Sequence, residues 1–395
     1  MYLTDILFVF SSAALIYSAL SPKLSQFVVN VFLSGFLLLF LLSDQYDFIG
    51  NPISAEIQGH LLEVTECKSN LGFFTIVEPL KSLSVFLACN FNIPWFFDFF
   101  YKFVFTLSSI FLNKLSFKIH ANPLIPICLL VFPVMYGNSR SSLAALFICI
   151  SFICYLLNLN NNQLGIRHFL KHSFSSSLSL PIIAHSSAFI VYPFIFAFNL
   201  LVSCIPFFKL KYLLQIKLKY LLSTLIFISI ALFLLSFLKS QAYFLGKPVL
   251  LYFGSINDVT TFFGLPIKHL ITLIIPFSIV YLCFFKVKRM STYFHNIYLV
   301  ALLLCSLLII IFTSLSFSTE VASRFSFLLL PSFYLFLSTY FHAHPIYTST
   351  NNSKFFRFLF YSFLFLILFS YTSYEYGLSP HRSFFLFPPV QLMTQ

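Results

Sequence analysis

Long apolar stretches dominate this chain, and short polar segments separate them. A helix that crosses the ~30 Å hydrocarbon core of a bilayer needs about 20 predominantly apolar residues. The pattern therefore predicts an all-α, polytopic integral membrane protein, with a single transmembrane domain over residues 1–395 and about twelve membrane-spanning helices. These helices are expected near residues 2–20, 25–43, 95–113, 122–138, 141–159, 173–185, 187–205, 220–238, 267–285, 297–315, 325–341 and 357–373.

The stretch 173–205 is predicted to form two short helices rather than one. As a single helix it would be ~50 Å long, too long to cross a bilayer without a strong tilt. Pro181 and the polar run His185-Ser186-Ser187 favour a break. The turn between the two helices then carries His185 at its tip, on the outer face.

With these helices the loops alternate between two sides, and the charges separate. One side collects 14 of the 23 Lys and Arg and none of the 11 Asp and Glu. Because an excess of Lys and Arg marks cytoplasmic loops, we interpret this side as cytoplasmic. Its basic residues are Lys23, Lys114, Lys118, Arg167, Lys171, Lys209, Lys211, Lys217, Lys219, Lys286, Lys288, Arg289, Lys354 and Arg357.

Two outer segments are longer than the other loops, at residues 44–94 and 239–266, and the short C-terminal tail 374–395 is also expected outside. The first segment contains the apolar run that follows Glu78-Pro79. That run is too short and too polar to span a bilayer, so we predict an interfacial or re-entrant helix there.

Composition agrees with a membrane protein. Hydrophobic residues make up 59% of the chain and charged residues 9%, against about 25% charged residues in a soluble domain. The net charge of +12 lies in short loops, so we expect its partner to be membrane lipid and not nucleic acid. The Cys and His spacings fit no zinc site and no nucleotide-binding motif occurs, so we expect no metal and no cofactor.

Two arginines lie at predicted outer boundaries of helices. Arg140 opens a helix whose N-terminal amides point outward, and a guanidinium beside such amides can bind phosphate oxygens; the alternative is an arginine that only reaches toward water. Arg324 follows Glu320 by four residues, a spacing that equally permits a local ion pair. Both arginines are candidate ligands of a diphosphate.

Candidate bases lie on the same predicted side. His185 at the outer turn could accept a proton, or it could be a hydrogen-bonded structural residue. Asp44, Asp47 and Glu78 are the outer carboxylates closest to predicted membrane boundaries. Burial at such a boundary raises the pKa of a carboxylate, which makes it a better proton acceptor. His342, by contrast, falls in an inner loop and is expected to be solvated.

Taken in order, several short motifs resemble those of one known family. They are Asp44-Gln45-Tyr46-Asp47, Glu78-Pro79-Leu80, Asn138-Ser139-Arg140-Ser141-Ser142-Leu143-Ala144, Ala184-His185-Ser186-Ser187-Ala188-Phe189 and Ser323-Arg324-Phe325. Together they resemble, over about residues 1–372, the EpsG-like branch of bacterial polysaccharide polymerases, which includes many O-antigen (Wzy) polymerases. Two positions depart from the family pattern. Leu42-Ser43 stand where an Arg often precedes the first Asp, and Ser141 stands where a Gln usually follows the first helix Arg.

The resemblance implies a glycosyltransferase of the bacterial inner membrane with its active face in the periplasm. Such an enzyme joins oligosaccharide repeats carried on undecaprenyl diphosphate, without a nucleotide sugar or a metal, and a chain-length regulator protein is a candidate partner. In such a reaction negative charge develops on the leaving phosphate, and we expect Arg140 and Arg324 to stabilise it. The acceptor hydroxyl needs a base, for which His185, Asp44, Asp47 and Glu78 are the alternatives.

Two other functions remain open on the sequence. A flippase for lipid-linked oligosaccharides has a similar length and number of helices, but it is expected to carry charged groups inside the bundle, often in two related halves. No such repeat is visible here. An O-antigen ligase is closer in chemistry, and the sequence does not separate it from a polymerase.

Overall fold

A computed structural model of the chain describes residues 3–42, 79–91, 93, 96–135, 139–159, 176–185, 187–188, 191–204, 271–283, 301–310, 319–342 and 351–375. All regular secondary structure within these residues is helical. We label the α-helices in chain order: α1 (Leu3–Leu20), α2 (Gln26–Leu42), α3 (Pro79–Asn90), α4 (Phe96–Ser116), α5 (Leu124–Met135), α6 (Ser139–Leu159), α7 (Ser176–Ala184), α8 (Val191–Cys204), α9 (Ile271–Cys283), α10 (Ala301–Ile310), α11 (Thr319–His342) and α12 (Asn351–Glu375). A short 3₁₀ segment, Phe117–Ile119, extends α4.

The predicted all-helical fold is confirmed for the described residues. Each predicted span contains a helix except 220–238, which lies outside the described residues, as do the outer segment 239–266 and the tail 376–395. The run after Glu78 is helical, as predicted, and forms α3. By length and composition, the segments Ser139–Leu157 of α6 and Phe325–His342 of α11 could cross a membrane.

The predicted break near His185 is also confirmed. Helix α7 ends at Ala184 and α8 begins at Val191. The two helices have 9 and 14 residues, or ~14 and ~21 Å at 1.5 Å per residue. Within the described residues, neither helix reaches the ~30 Å of a bilayer core by itself.

Helices α5 and α6 form the centre of the bundle. Every described side chain of α5 is buried, and so is the run from Leu143 to Ile153 in α6. Helix α6 packs against α4, α5, α7 and α11, whereas α5 contacts α1, α2, α4, α6, α11 and α12. An α-helix that is apolar on all sides can pack against other helices in every direction, as α5 and α6 do.

The outer helices present apolar side chains on both faces. One face of each packs inward, while the other exposes large apolar residues at spacings of three, four, seven or eight positions, as one face of a helix requires. These exposed residues are Phe27, Val31, Leu38 and Leu42 in α2; Phe99, Phe103, Leu107 and Phe111 in α4; and Phe355, Phe358, Leu366 and Phe369 in α12.

Three helix connections meet at one end of the bundle. Asn122, just before α5, hydrogen bonds to Ser18 near the end of α1 and to Tyr361 in α12. His342, the last residue of α11, contacts the carbonyl of Pro22 between α1 and α2. The α1–α2 and α4–α5 connections, the end of α11 and the first turns of α12 are therefore neighbours. We call this the basic end, since Lys23, Lys118 and Lys354 lie exposed in or beside these connections.

Candidate functional site

Arg140 occupies the first turn of α6, the central helix. Its side chain is half-buried, and the neighbouring Ser139 and Ser142 are buried. Helix α5 starts at the basic end and rises ~18 Å over its 12 residues before α6 begins. Arg140 therefore lies toward the opposite end of the bundle, beside the first amides of α6.

His185 lies in the break between α7 and α8 and is half-buried. Its backbone amide donates to the carbonyl of Pro181 at 3.1 Å, and its own carbonyl accepts from Ala188 at 3.0 Å. The ring Nδ1 receives the backbone amide of Ser187 at 3.1 Å and lies 2.9 Å from the Oγ of Ser187. The ring is thus held by the residues that follow it.

Arg324 lies within α11, not before it. We predicted the start of this helix at 325 because the Glu and Arg resemble a membrane boundary, but the helix begins at Thr319. Residues 320 and 324 therefore occupy its first two turns; their side chains lie outside the described set. His342, the last residue of α11, is at the basic end. Arg324 lies ~27 Å from it along the axis of α11, toward the opposite end of the bundle.

The three described candidates lie on neighbouring helices. Helix α6 with Arg140 packs directly against α11 with Arg324 and against α7, which leads into His185. Phe152 of α6 also stacks edge-on against Phe194 of α8, with ring centroids 5.4 Å apart. The helices on both sides of the break that contains His185 therefore contact α6. Asp44, Asp47 and Glu78 lie outside the described residues.

A second group of polar residues, not predicted from the sequence, is buried at the basic end. We call this group the clasp. Its members are Ser18, Asn122, Ser338, His342, Arg357 and Tyr361, all nearly inaccessible to solvent.

Asn122 is the centre of the clasp. Its side-chain amide donates to Ser18 Oγ at 2.8 Å and to the hydroxyl of Tyr361 at 2.9 Å, while its backbone amide donates to Ser338 Oγ at 2.9 Å. Its Oδ1 accepts from the amide of Leu124 at 3.1 Å, in the manner of a helix cap. Asn122 therefore caps the start of α5 and forms hydrogen bonds with three other helices.

His342 is not solvated, contrary to our prediction; it is 6% exposed. Its Nε2 lies 2.7 Å from the Tyr361 hydroxyl and its Nδ1 3.4 Å from the Pro22 carbonyl. Because the Tyr361 hydroxyl already accepts from Asn122, its proton points to Nε2, and the ring proton then sits on Nδ1 toward Pro22. The prediction was wrong because α11 continues to His342, where distant residues supply partners.

Arg357 is likewise not a loop residue. We predicted α12 to begin there, but the helix begins at Asn351 and Arg357 is 2% exposed. Its Nε donates to the carbonyl of Ala19 at 2.8 Å and its Nη2 to that of Leu20 at 3.2 Å, whereas Nη1 has no hydrogen-bond partner. The guanidinium therefore caps the C-terminus of α1, where the helix dipole favours a cation.

These two groups differ in what they can do chemically. Arg140 and Arg324 lie in the first two turns of neighbouring helices, where a cation beside helix amides suits an anionic substrate. In the clasp the hydrogen bonds of Asn122, His342 and Arg357 join different helices, so they serve assembly. Among the described residues no group of three or more His, Cys, Asp or Glu could hold a metal ion.

Comparisons of the chain with protein-family models, with curated proteins and with solved structures find no match.

Proposed function

We propose that this chain is a polytopic inner-membrane glycosyltransferase that polymerises undecaprenyl-diphosphate-linked oligosaccharide repeats on the periplasmic face. The observation that carries the proposal is the position of Arg140. It lies in the first turn of the central helix, half-buried beside helix amides, at the end of the bundle remote from the basic end. Such a site suits the diphosphate of a lipid-linked donor.

Two observations support a membrane location. The exposed apolar faces of α2, α4 and α12 are too extensive for a surface in water, since soluble monomers rarely expose large contiguous apolar patches. Lys23, Lys118 and Lys354 share one end of the bundle, as expected if these connections face the cytoplasm. Arg140 and Arg324 then face the periplasm.

The chemistry follows from the charges. The bond between the anomeric carbon and the diphosphate breaks with its electron pair on the phosphate oxygen, so negative charge grows on the leaving group. Arg140 and Arg324 stabilise that charge, and fixed donors at such a position are worth about 10²–10³ in rate. The acceptor hydroxyl loses its proton to a base among His185, Asp44, Asp47 and Glu78. Apolar helix faces accommodate the polyprenyl tail.

Banded surface-polysaccharide profiles test the proposal. A deletion strain should lose the ladder of chain lengths but keep the lipid A–core, or equivalent acceptor, with one repeat attached. Arg140→Ala should reproduce that loss in complementation, and Arg140→Lys should restore little because a lysine cannot make a bidentate phosphate contact. Lys354→Ala, which removes an exposed cation at the basic end, is the matched control and should restore the full ladder. A normal ladder from Arg140→Ala refutes the role of Arg140.

One observation favours the flippase as a second candidate. Arg357 places a charged side chain inside the bundle beside the ionisable His342, as a transporter of an anionic lipid would. Deletion distinguishes the two, because loss of a flippase leaves the acceptor with no repeat at all. If Arg357 serves transport, Arg357→Lys should retain the charge and part of the activity; if it serves the clasp, the same change should lower thermal stability.

A further inference from the structure

Helix α4 carries three polar atoms that are buried without a hydrogen-bond partner. They are Ser109 Oγ, Asn113 Oδ1 and Ser116 Oγ, and none of them reaches a donor or an acceptor in the part of the chain that the structure describes. The three side chains are at most 6% exposed. Burying a polar atom away from any partner is costly, so each of these atoms needs a partner from elsewhere.

Two other hydroxyls of α4 show how a helix usually satisfies such a group. Thr106 donates to the carbonyl of Lys102 at 2.9 Å, and Ser108 donates to the carbonyl of Val104 at 2.7 Å. Each uses the carbonyl four residues earlier in its own helix. Within the described residues Ser109 makes no such bond, so its hydroxyl remains available to a partner from outside α4.

The three atoms belong to the face of α4 that packs against α2. At about 100° per residue, their positions fall within an arc of about 60°. Two contacts on this arc reach α2. The side-chain amide of Asn113 donates to Asn30 Oδ1 at 2.7 Å, and the ammonium group of Lys102 lies 5.7 Å from the centre of the Phe40 ring. Ser109 lies between these two contacts along the helix.

The spacing of the three atoms suits water. Side chains three and four residues apart on a helix are neighbours, with Cβ atoms about 5–6 Å apart. A single water crosses such a gap with two hydrogen bonds of ~2.8 Å. Asn113 lies between Ser109 and Ser116, and its carbonyl oxygen has two lone pairs. One water can therefore bridge Asn113 to Ser109, and a second can bridge Asn113 to Ser116.

The same arrangement holds if the two amides are reversed. Asn113 would then present an N–H where its oxygen now lies. Water both donates and accepts, so it would still bind there.

Asn30 provides the route by which water enters. It is exposed and lies ~6 Å from the start of α2. Ser116 is the last residue of α4, and both of these helix termini belong to the basic end. Ser109, the innermost of the three, is therefore only ~10 Å inside the bundle from the end of α4.

We propose that the α2–α4 interface binds two ordered water molecules through Ser109, Asn113 and Ser116, and that this water enters from the basic end past Asn30. We call this the water site. Buried waters of this kind typically make two to four hydrogen bonds to groups that are otherwise unsatisfied. The water site does not depend on the proposed function, because only helix contacts define it.

Radiolytic labelling of the full-length protein in lipid nanodiscs is the direct test. X-ray pulses convert bound water to hydroxyl radicals, which modify adjacent side chains even where bulk solvent does not reach, and mass spectrometry locates the products. Phe105 and Leu112 flank the water site on α4, and both are 0% exposed. Phe132 and Leu130 of α5 are matched controls, since they are of the same types and equally buried. We expect Phe105 and Leu112 to be labelled several-fold faster than the controls; equal labelling overturns the proposal.

Asn113→Leu tests the shared acceptor. The change keeps the size of the side chain and removes the oxygen to which both waters bind. Labelling of Phe105 and Leu112 should then fall to the level of the controls, and unchanged labelling overturns the role of Asn113. If this variant does not fold, the ratio measured in the wild-type protein still decides whether water is bound.

Melting temperatures give an independent test, because the sign of the effect depends on whether the hydroxyls have partners. If water binds them, Ser109→Ala and Ser116→Ala each remove a bond to it and should lower the melting temperature by about 2–4 °C. If the hydroxyls are simply unpaired, alanine relieves a cost and the melting temperature rises. Ser108→Ala is the matched control at an adjacent position whose hydroxyl is satisfied within the helix. A rise or no change in both Ser109→Ala and Ser116→Ala overturns the proposal.

Discussion

The guanidinium of Arg357 donates from Nε to the carbonyl oxygen of Ala19 at 2.8 Å, although 338 positions separate the two residues in the chain. The contact joins the last described helix to the first, because Ala19 lies in the last turn of α1 and Arg357 in the second turn of α12. A carbonyl at the end of a helix has no partner within the helix and must find one elsewhere. Arg357 supplies partners for two such carbonyls, which makes it central to how α1 and α12 pack.

Replacing Arg357 with Met should therefore destabilise the bundle. Two carbonyls lose a charged donor, and hydrogen bonds to charged groups are worth about 1.5–3 kcal/mol each. The gain from no longer burying a charge offsets part of this loss, so we expect a net cost of about 2–3 kcal/mol. Thermal unfolding of the purified protein in detergent measures it.

Lys354→Met is the matched control for this prediction. Lys354 is one turn earlier on α12 and exposed, so its loss should change the melting temperature little. Equal melting temperatures for Arg357→Met and wild type would mean that the carbonyls of Ala19 and Leu20 do not depend on the guanidinium.

Tyr361→Phe should disrupt the clasp at its most connected hydroxyl. The change leaves one amide hydrogen of Asn122 and the Nε2 of His342 without partners, and a buried unsatisfied group costs about 1–3 kcal/mol. Combining Tyr361→Phe with Asn122→Ala should cost less than the sum of the two single changes, because both remove the same hydrogen bond. Strict additivity of the unfolding free energies in this double-mutant cycle would show that the two groups do not interact.

The sequence predicts the helices of this protein better than it predicts the burial of their ends. Long apolar stretches identify helices α1, α2, α4 and α12 because apolar length is a local property. His342 and Arg357 were misassigned since a charged residue at the edge of an apolar stretch resembles a solvated boundary. Their partners at the end of α1 are more than 300 positions away, and only the assembled bundle brings them together. The Asn122-Pro123 pair, a favourable helix start, was the one local signal of the clasp.

Gly35 of α2 lies against the ring of Phe10 in α1. A Cβ built there would lie 3.0 Å from the ring of Phe10, so a methyl group requires that ring to move by a few tenths of an ångström. Gly35→Ala should be close to neutral, because the gain in helix propensity, about 1 kcal/mol, offsets that shift. Gly35→Leu should cost about 1–3 kcal/mol through overpacking.

Melting temperatures of the two Gly35 variants provide the measurement, with Ser34→Leu as a control for added bulk at the adjacent, exposed position. If Gly35→Leu is as stable as Gly35→Ala, the α1–α2 contact is looser than the structure indicates.

Cysteine labelling should place three connections on one side of the membrane. Lys23, Lys118 and Lys354 are exposed at the basic end, so Lys→Cys at each position should react with a membrane-impermeant maleimide only when the cytoplasmic face is open. Ser141→Cys, one residue after Arg140, should react from the periplasm instead. Labelling of Ser141→Cys from the cytoplasm, or of the three Lys→Cys variants from opposite sides, contradicts the proposed orientation.

A charge exchange distinguishes the two roles left open for Arg324. It follows Glu320 by four residues in the first two turns of α11, where an exposed ion pair contributes about 0.3–0.5 kcal/mol. If Arg324 binds the diphosphate, Arg324→Glu should abolish the polysaccharide ladder, and adding Glu320→Arg should not restore it, because the cation has moved one turn along the helix. If Arg324 only pairs with Glu320, the double variant should recover the ladder that either single variant loses. Glu320→Gln provides the control: it breaks the ion pair and keeps the arginine, so under the substrate-binding role it should retain polymer at close to the wild-type level.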